Sequence, residues 1–456
     1  MKQIPYLLLV SFFFAIGCSS PDNEAAPPSL TLLCMADLHS AHERLASILG
    51  EVNRIREENG EPPLVLINGD IFESGNVVTA RSEGVVEWQF LERLSQMAPV
   101  VVNIGNHEGA VEDDLREVVR RLKELGIVVL SNITSAADGS ALADATLNVS
   151  DFRIPLTLAG MATNDLNTYR QVHRDQWTFP DPVAYVDQLA EQLFLSSFSG
   201  FNIILNHGGI VSDRHLFDAL PYGSLLIGGH DHLIHRQDAP GKLALHTGWW
   251  GAQIDKVVIT QHPYNGWKID HEVIPLSQAG SVDAVMTAEI ADAEAIYLTE
   301  SDRAIVGHSA QSFDAVGTMH EIVRIIHEAG GYDAVCINNT TFGSHLTEGP
   351  VRKVALNSLI RFDGAMQTTQ VTGAQLSAIR AIANQHGLSD WANRTGEYVV
   401  GQFPNVINPD TLYTLAVNGW VALPFNQQRF LGVQNLAFSQ DPTFESMRQA
   451  IIDALD

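Results

Sequence analysis

The chain has 456 residues, 45% hydrophobic and 18% charged, with 53 acidic against 27 basic side chains and a formal charge of −26 at pH 7. This length exceeds one ordinary hydrophobic core and predicts two domains. The acidic balance, with no basic cluster, argues against a nucleic-acid duplex or an anionic membrane surface as the recognised partner.

The chain opens with MKQIPYLLLVSFFFAIGCSS. Its apolar stretch, Ile4 to Ile16, is too short to span a bilayer comfortably and reads as a secretory signal. Ala15-Ile16-Gly17-Cys18 resembles a bacterial lipobox, which implies a signal peptide over 1–18, lipid on Cys18, and anchoring in the bacterial periplasm or cell envelope. Residues 19–29, polar and proline-bearing, read as a tether. From residue 30, short apolar runs alternate with amphipathic stretches. Strands are expected at 30–36, 63–69 and 99–105, and helices at 43–59, 85–97 and 114–126. Further strands are expected at 156–162, 201–207, 224–230 and 243–250. The alternation predicts an α/β domain over 30–277. An Ala- and acid-rich connector helix follows at 278–300. A second, smaller α/β domain is expected over 301–456, with helices at 318–330 and 373–387 and strands at 332–338, 366–372 and 412–418. Cys34 and Cys336 sit in apolar runs of different domains, so they read as buried thiols without a disulfide.

Polar residues cluster where the first domain's strands end: Asp37 and His39, Asp70, Asn106 and His107, His207, then His230 and His232. Ligands of open α/β sheets bind beyond the strand carboxyl ends, so five strands aim Asp, Asn and His at one place. Imidazole and carboxylate suit divalent first-row metals. Asp-x-His and His-x-His let alternate residues of an extended segment point the same way. Asp37, His39, Asp70, Asn106, His207, His230 and His232 are too many for one ion. They suit two divalent metals (Mn, Zn, Co, Fe or Mg) bridged by Asp70, a recurring device for phosphoryl transfer to water.

The series Asp-x-His, Gly-Asp, Gly-Asn-His-Glu, His-Gly and Gly-His-x-His resembles the calcineurin-like metallophosphoesterase signature. With HTGWWGAQIDKVVIT and YDAVCINN…LTEGPV…LNSLIRFDGAMQTTQVTGAQL, the chain resembles the two-domain 5'-nucleotidase family over roughly 30–435. The resemblance implies a four-layer α/β/β/α sandwich plus a smaller α/β substrate-binding domain. It implies one metal on Asp37, His39, Asp70 and His232, and another on Asp70, Asn106, His207 and His230. His107 would then be catalytic, facing the phosphate as general acid or transition-state stabiliser. The activity implied is hydrolysis of a phosphate ester, as of a nucleotide, by metal-activated hydroxide. A cyclic-nucleotide phosphodiesterase, a nucleotide-sugar pyrophosphatase and a thiosulfohydrolase-like enzyme remain alternatives on the same site. So does a metal-retaining binding lipoprotein with little turnover.

Two departures stand out. Where the family carries an aspartate three residues after the catalytic histidine, this chain has Ala110; Asp113, Asp114 or Glu108 are the candidate substitutes. Without such a partner, His107 is expected to be less basic and less firmly oriented. Where the family reads Asn-Gly-Gly-Gly-Ile-Arg, this chain has Asn338-Asn339-Thr340-Thr341-Phe342-Gly343, without the arginine. Asn338 and Phe362 remain as substrate-binding candidates. Phe362 matches a base-stacking aromatic, with Phe425 or Phe430 as its partner. Trp249 and Trp250 are expected beside the metal strand ends, and His42, His215, His235 and His246 at the surface or behind the ligands.

Overall fold

The computed structural model describes residues 27–150, 152–196, 200–262, 266–276, 280–382 and 399–455. The signal segment and Cys18 lie outside the described residues, as does 383–398, which includes the last five residues of the helix expected at 373–387.

In the first domain the strands are β1 (Ser29–Met35), β2 (Leu64–Asn68), β3 (Val100–Asn103), β4 (Val128–Leu130), β5 (Thr134–Ser135), β6 (Thr146–Val149) and β7 (Leu156–Ala162). They continue with β8 (Trp177–Thr178), β9 (Phe201–His207), β10 (Ser224–Gly228), β11 (Ile234–Ala239), β12 (Lys242–Thr247), β13 (Gln253–His262) and β14 (Gly266–Pro275). One six-stranded sheet has the order β14-β13-β1-β2-β3-β4, the other β11-β12-β10-β9-β7-β6. Strands β1 to β4 are mutually parallel, as are β7, β9, β10 and β12.

The layering follows from the period-two side-chain alternation of strands. Leu32, Cys34, Leu64 and Leu66 of one sheet share a core with Leu158, Ile203, Leu205, Leu225 and Ile227 of the other. The intervening residues, Leu33, Met35, Val65 and Ile67, pack on the helices His42–Asn59 and Val85–Met97 through Leu45, Leu49, Phe90 and Leu91. Ile204, Leu226 and Ala244 face the helices Pro182–Ser196 and Ile210–Ala219. Sheets buried on both faces read as continuous apolar runs, which is why these strands showed little polar alternation in the sequence. The result is the expected four-layer α/β/β/α sandwich. The run 243–250, read as one strand, stops at Thr247 because Gly248 turns the chain at φ 83°.

Helix Ala284–Tyr297 packs on the first domain's helices, holding Met286 and Ala293 in their core. Its entry is close-fitting: a Cβ on Gly50 would lie 2.3 Å from the Ser281 carbonyl oxygen. Beyond it come β15 (Ile305–Ser309), β16 (Ala334–Asn338), β17 (Gly349–Arg352), β18 (Gln367–Thr372), β19 (Val399–Gln402), β20 (Leu412–Val417) and β21 (Ser439–Gln440). A five-stranded sheet, β19-β16-β20-β18-β21, is the heart of this second lobe. Val335 and Ile337 face the helices Ala315–Gly330 and Met447–Leu455, while Ala334 and Cys336 face Gly373–Ile382 and Pro424–Leu431. Cys34 and Cys336 are buried free thiols.

The inter-sheet layer carries a direct stability test. Leu66 is fully buried there, so Leu66→Ala is expected to lower unfolding free energy by about 2–5 kcal/mol, measured by chemical denaturation. A loss within experimental error would contradict this packing.

Candidate active site

The parallel strands of both sheets end at one edge of the sandwich, and the polar residues follow immediately. Asp37 and His39 come after β1, Asp70 after β2, Asn106 and His107 after β3; His207 ends β9, and His230 and His232 follow β10. Because β1, β2 and β3 are neighbours in one sheet and β9 and β10 in the other, the five turns meet face to face.

These turns are strained. Asp37, His39, Asp70, His230 and His232 all have positive φ, between 44° and 81°, a conformation costing a non-glycine residue about 1–3 kcal/mol. Surrounding hydrogen bonds hold it: Asp37 N donates to Gly69 O, His39 N to Asp70 O at 2.8 Å, and Ser40 N to Ile71 O. The His230 N–H donates to the Asp37 carboxylate at 3.0 Å.

The side chains form overlapping groups. Asp37, His39 and His232 make one, and Asp70, His207 and His230 another. Asp70 spans them. Its Oδ2 lies 3.0 Å from His207 Nε2 and 3.5 Å from His39 Nε2, while its Oδ1 accepts the His107 N–H at 2.7 Å. Asn106 Oδ1 is 3.0 Å from His230 Nδ1. The structure thus brings together all seven residues read as ligands.

The donor set fits a cation. His207 Nδ1 is 2.7 Å from the Asn68 carbonyl oxygen, which requires a proton there and leaves Nε2 as a lone pair. That Nε2 is buried without a hydrogen-bond partner and faces only carboxylate oxygens. His39 Nε2 and His232 Nε2 face each other at 3.0 Å. Buried acceptors converging this way need positive charge among them.

In the metal-free protein, protons supply it. Burial pushes His39 and His207 down, but their carboxylate neighbours outweigh it: Asp37 and Glu73 with Asp70 for His39, Asp70 and Asp37 for His207. The results are about 9 and about 10. His230 and His232 are pushed well below the imidazole range by burial, and further by their charged histidine neighbours.

His107 has a partner the sequence reading missed. Glu73 Oε2 lies 3.0 Å from His107 Nδ1 and 3.4 Å from His39 Nδ1, shared between the two rings. None of the three proposed substitutes serves. Asp113 pairs with Arg170. Asp114 caps the helix Leu115–Glu124 by accepting the Arg116 N–H at 2.9 Å. Glu108 accepts the Ile71 and Gly105 N–H groups at 3.0 and 2.7 Å and so ties two ligand turns together. The expectation of a less basic His107 is also corrected. Burial opposes its charge, but Asp70 and Glu73 outweigh burial and raise its pKa. The available signal was a carboxylate three residues after Asp70, in Asp70-Ile71-Phe72-Glu73, beside two apolar residues.

Above the histidines lies a cavity of about 260 Å³, walled on the far side by Asn338, Thr340, Thr341, Phe362 and Trp420 of the second lobe. Asn167 and Thr168 of the first domain also line it. Phe362 is 37% exposed, with its ring 5.7 Å from that of His107. The other second-lobe aromatic lining the cavity is Trp420. Phe430 is buried in the second-lobe core, and Phe425 packs edge-on against Trp420 at 6.0 Å. Trp250 packs on His39 at 4.4 Å, and Trp249 lies parallel to His232 at 6.5 Å. His42 bonds Glu87 and His246 bonds Asp213, both buried; His235 is buried, and His215 is exposed.

The proton inventory predicts how divalent metal binds. His39 and His207 stabilise the metal-free fold fully below the unfolded imidazole value of 6.5, and this is lost as pH rises through about 9 and about 10. Metal must displace those protons, so its affinity should rise from pH 6 to 8, and loading at pH 7 should release protons. Calorimetry of Mn²⁺ binding in buffers of different ionisation enthalpy measures this; zero proton release would contradict it.

Comparison with known proteins agrees with this geometry. Residues 30–233 match the calcineurin-like phosphoesterase family model. Protein 5NUC of Lutzomyia longipalpis is 23% identical over 188 residues, a match spanning 40% of this chain and 31% of that protein. The fold is similar to that of the 5'-nucleotidase precursor of Thermus thermophilus, with TM-score 0.63, 15% identity, and 94% of this chain and 96% of that one covered. It is also similar to the 5'-nucleotidase of Candida albicans, with TM-score 0.62, 11% identity, and 94% and 99% covered. The sulfate thiohydrolase SoxB of Thermus thermophilus gives TM-score 0.64 at 13% identity, with 93% of each chain covered. Residues 30–233 therefore match the calcineurin-like phosphoesterase family model, in a chain whose fold is similar to that of two-domain 5'-nucleotidases.

Proposed function

We propose that this protein is a metal-dependent hydrolase of a small phosphate ester, with nucleotides as the leading substrate class. The carrying observation is the two adjoining His/Asp groups, Asp37, His39 and His232 beside Asp70, His207 and His230, with Asp70 also reaching His39 and with His107 next to them at the floor of a two-lobed cavity. Asp37, His39, Asp70 and His232 would hold one divalent ion; Asp70, Asn106, His207 and His230 would hold a second. Such a pair activates water near neutral pH and neutralises phosphoryl oxygens.

The chain's own residues supply the rest. Glu73 draws the Nδ1 side of His107 towards itself, leaving Nε2 as the nitrogen that faces a leaving group. With its pKa raised, His107 carries the proton that a leaving oxygen needs. Phe362 and Trp420 offer a flat apolar surface to a base or ring, and Asn167, Asn338 and Thr340 offer hydrogen bonds to hydroxyls. Among the described residues the cavity lining carries no Lys or Arg. This favours a substrate with one charged group and weighs against a diphosphate such as a nucleotide sugar. Glu73 gives His107 the carboxylate partner that Ala110 does not, which weighs against the alternative of a metal-retaining binding lipoprotein with little turnover.

Export and lipid anchoring through Cys18 belong to this proposal, supported by the apolar run Ile4 to Ile16 and the small residues before Cys18. Among the described residues no helix is long and apolar enough to cross a membrane. Cys18→Ala should move the protein from the membrane to the soluble fraction of cells; an unchanged membrane fraction would rule the anchor out.

A substrate screen with Mn²⁺ over phosphomonoesters, phosphodiesters, nucleotide sugars and thiosulfate conjugates tests the activity. Turnover of nucleoside monophosphates well above the others is expected, and no phosphate release from any of them would refute the reading. Glu73→Gln should lower kcat about 10–100-fold on esters with poor leaving groups, and less on an activated aryl phosphate, which needs little protonation. Ala110→Asp should bring no gain, because Glu73 already holds the imidazole. Equal loss on both ester types for Glu73→Gln would show that it acts on metal ligation through His39 instead.

A further inference from the structure

Asn338-Asn339-Thr340-Thr341-Phe342-Gly343 stands where the resemblance to 5'-nucleotidases implies glycines and an arginine, and the proposed chemistry uses only its cavity-facing members. The rest of it reaches across the lobes. Asn339 is buried, and its amide nitrogen donates to the Asp231 carbonyl at 2.9 Å and the His232 carbonyl at 3.2 Å. Both partners are acceptors, so only the NH₂ group can satisfy them and the orientation of the amide is fixed. Three residues on, the Phe342 carbonyl accepts the Trp250 Nε1–H at 2.7 Å. The Trp250 main-chain N–H donates to the Asp37 carbonyl at 2.7 Å, its ring lies on His39, and the Arg361 guanidinium covers that ring at 4.5 Å.

One short segment of the second lobe thus touches the strained His230–His232 turn directly and reaches the Asp37–His39 turn through Trp250. Its own shape is locked from below. Thr341 Oγ1 donates to Asn338 Oδ1 at 3.0 Å, and Asn418 Nδ2 donates to the same oxygen at 2.7 Å. Gly343 permits the close approach: a Cβ there would lie 2.4 Å from the Ser358 carbonyl oxygen. The apolar contacts are continuous as well, since Leu233, Trp249 and Trp250 share a core with Ile337, Phe342 and Ile360.

We propose that Asn338–Gly343 is a cross-lobe clamp on the metal centre, with Asn339 and Trp250 as positioning residues, so that full metal affinity requires the second lobe packed in place. Positive-φ ligand turns persist only when neighbours over-determine them. Here the neighbours of the His230–His232 turn include a side chain from the other lobe. A glycine at position 339 would form the turn but not the clamp. The inference rests on the two-metal reading of the site and adds to it which residues outside the ligand set hold that site in shape.

The test measures Mn²⁺ dissociation constants of the full chain by competition with a fluorescent chelator, alongside the melting midpoint of the metal-free protein. Asn339→Asp keeps the shape but turns a carboxylate towards two carbonyl oxygens. It should weaken Mn²⁺ binding about tenfold or more while the metal-free protein still melts cooperatively. Trp250→Phe keeps a ring on His39 and removes the donor to Phe342; a smaller loss in the same direction is expected. A merely structural role would lower the melting midpoint and leave the dissociation constants unchanged, and that result overturns the clamp. If Asn339→Asp fails to fold, Trp250→Phe decides alone, with unchanged affinity overturning the proposal. Wild-type protein that binds no Mn²⁺ would sink the two-metal reading itself, whereas two bound ions with unaffected variants would sink only the clamp.

Discussion

Two carboxylates, Asp37 and Asp70, lie almost fully buried among the acceptor nitrogens of His39, His207 and His232. Positive charge must be present there for the cluster to be stable. In the metal-free protein it comes from protons on His39 and His207, and divalent metal is the natural replacement. The neighbouring structure serves this requirement. Asn68 fixes the His207 tautomer from behind, and Glu108 ties the turn after β2 to the turn after β3. Asp37 anchors the turn after β10 through the His230 N–H.

The sandwich makes such a cluster possible. Two largely parallel sheets, face to face, end their strands at a common edge, so residues distant in sequence arrive on opposite sides of one small volume. The interleaved apolar layer between the sheets fixes their separation. The strained turns then need neither length nor flexibility to deliver their side chains. The second lobe closes the volume from above, sharing apolar contacts with Trp249 and Trp250 rather than merely facing them across solvent.

Glu73 shows how local chemistry is kept when one sequence position changes. A carboxylate beside an imidazole raises its basicity and orients its ring wherever in the chain that carboxylate originates. At position 110 alanine packs against the apolar core and carries no charge. Glu73, on the turn after Asp70, reaches the same imidazole and also touches His39, so it lies between the proposed proton donor and the proposed metal site.

Much of this was legible in the sequence. Strands buried on both faces announce themselves as apolar runs, and Asp, Asn and His just beyond such runs mark a strand-end site; both signals are local and depend on spacing along the chain. The layering, the seven convergent side chains and the nature of the cavity floor could be read this way. The partner of His107 could not, because Glu73 and His107 are 34 residues apart in sequence and meet only where adjacent parallel strands place their following turns side by side. That Trp420 lines the cavity with Phe362, with Phe425 against the edge of Trp420 and Phe430 in the core, was likewise decided by how the second lobe's helices pack. So was the reach of Asn339 to the His230–His232 turn. Contacts between lobes depend on the rigid-body fit of two finished cores, and no periodicity along one chain encodes that fit.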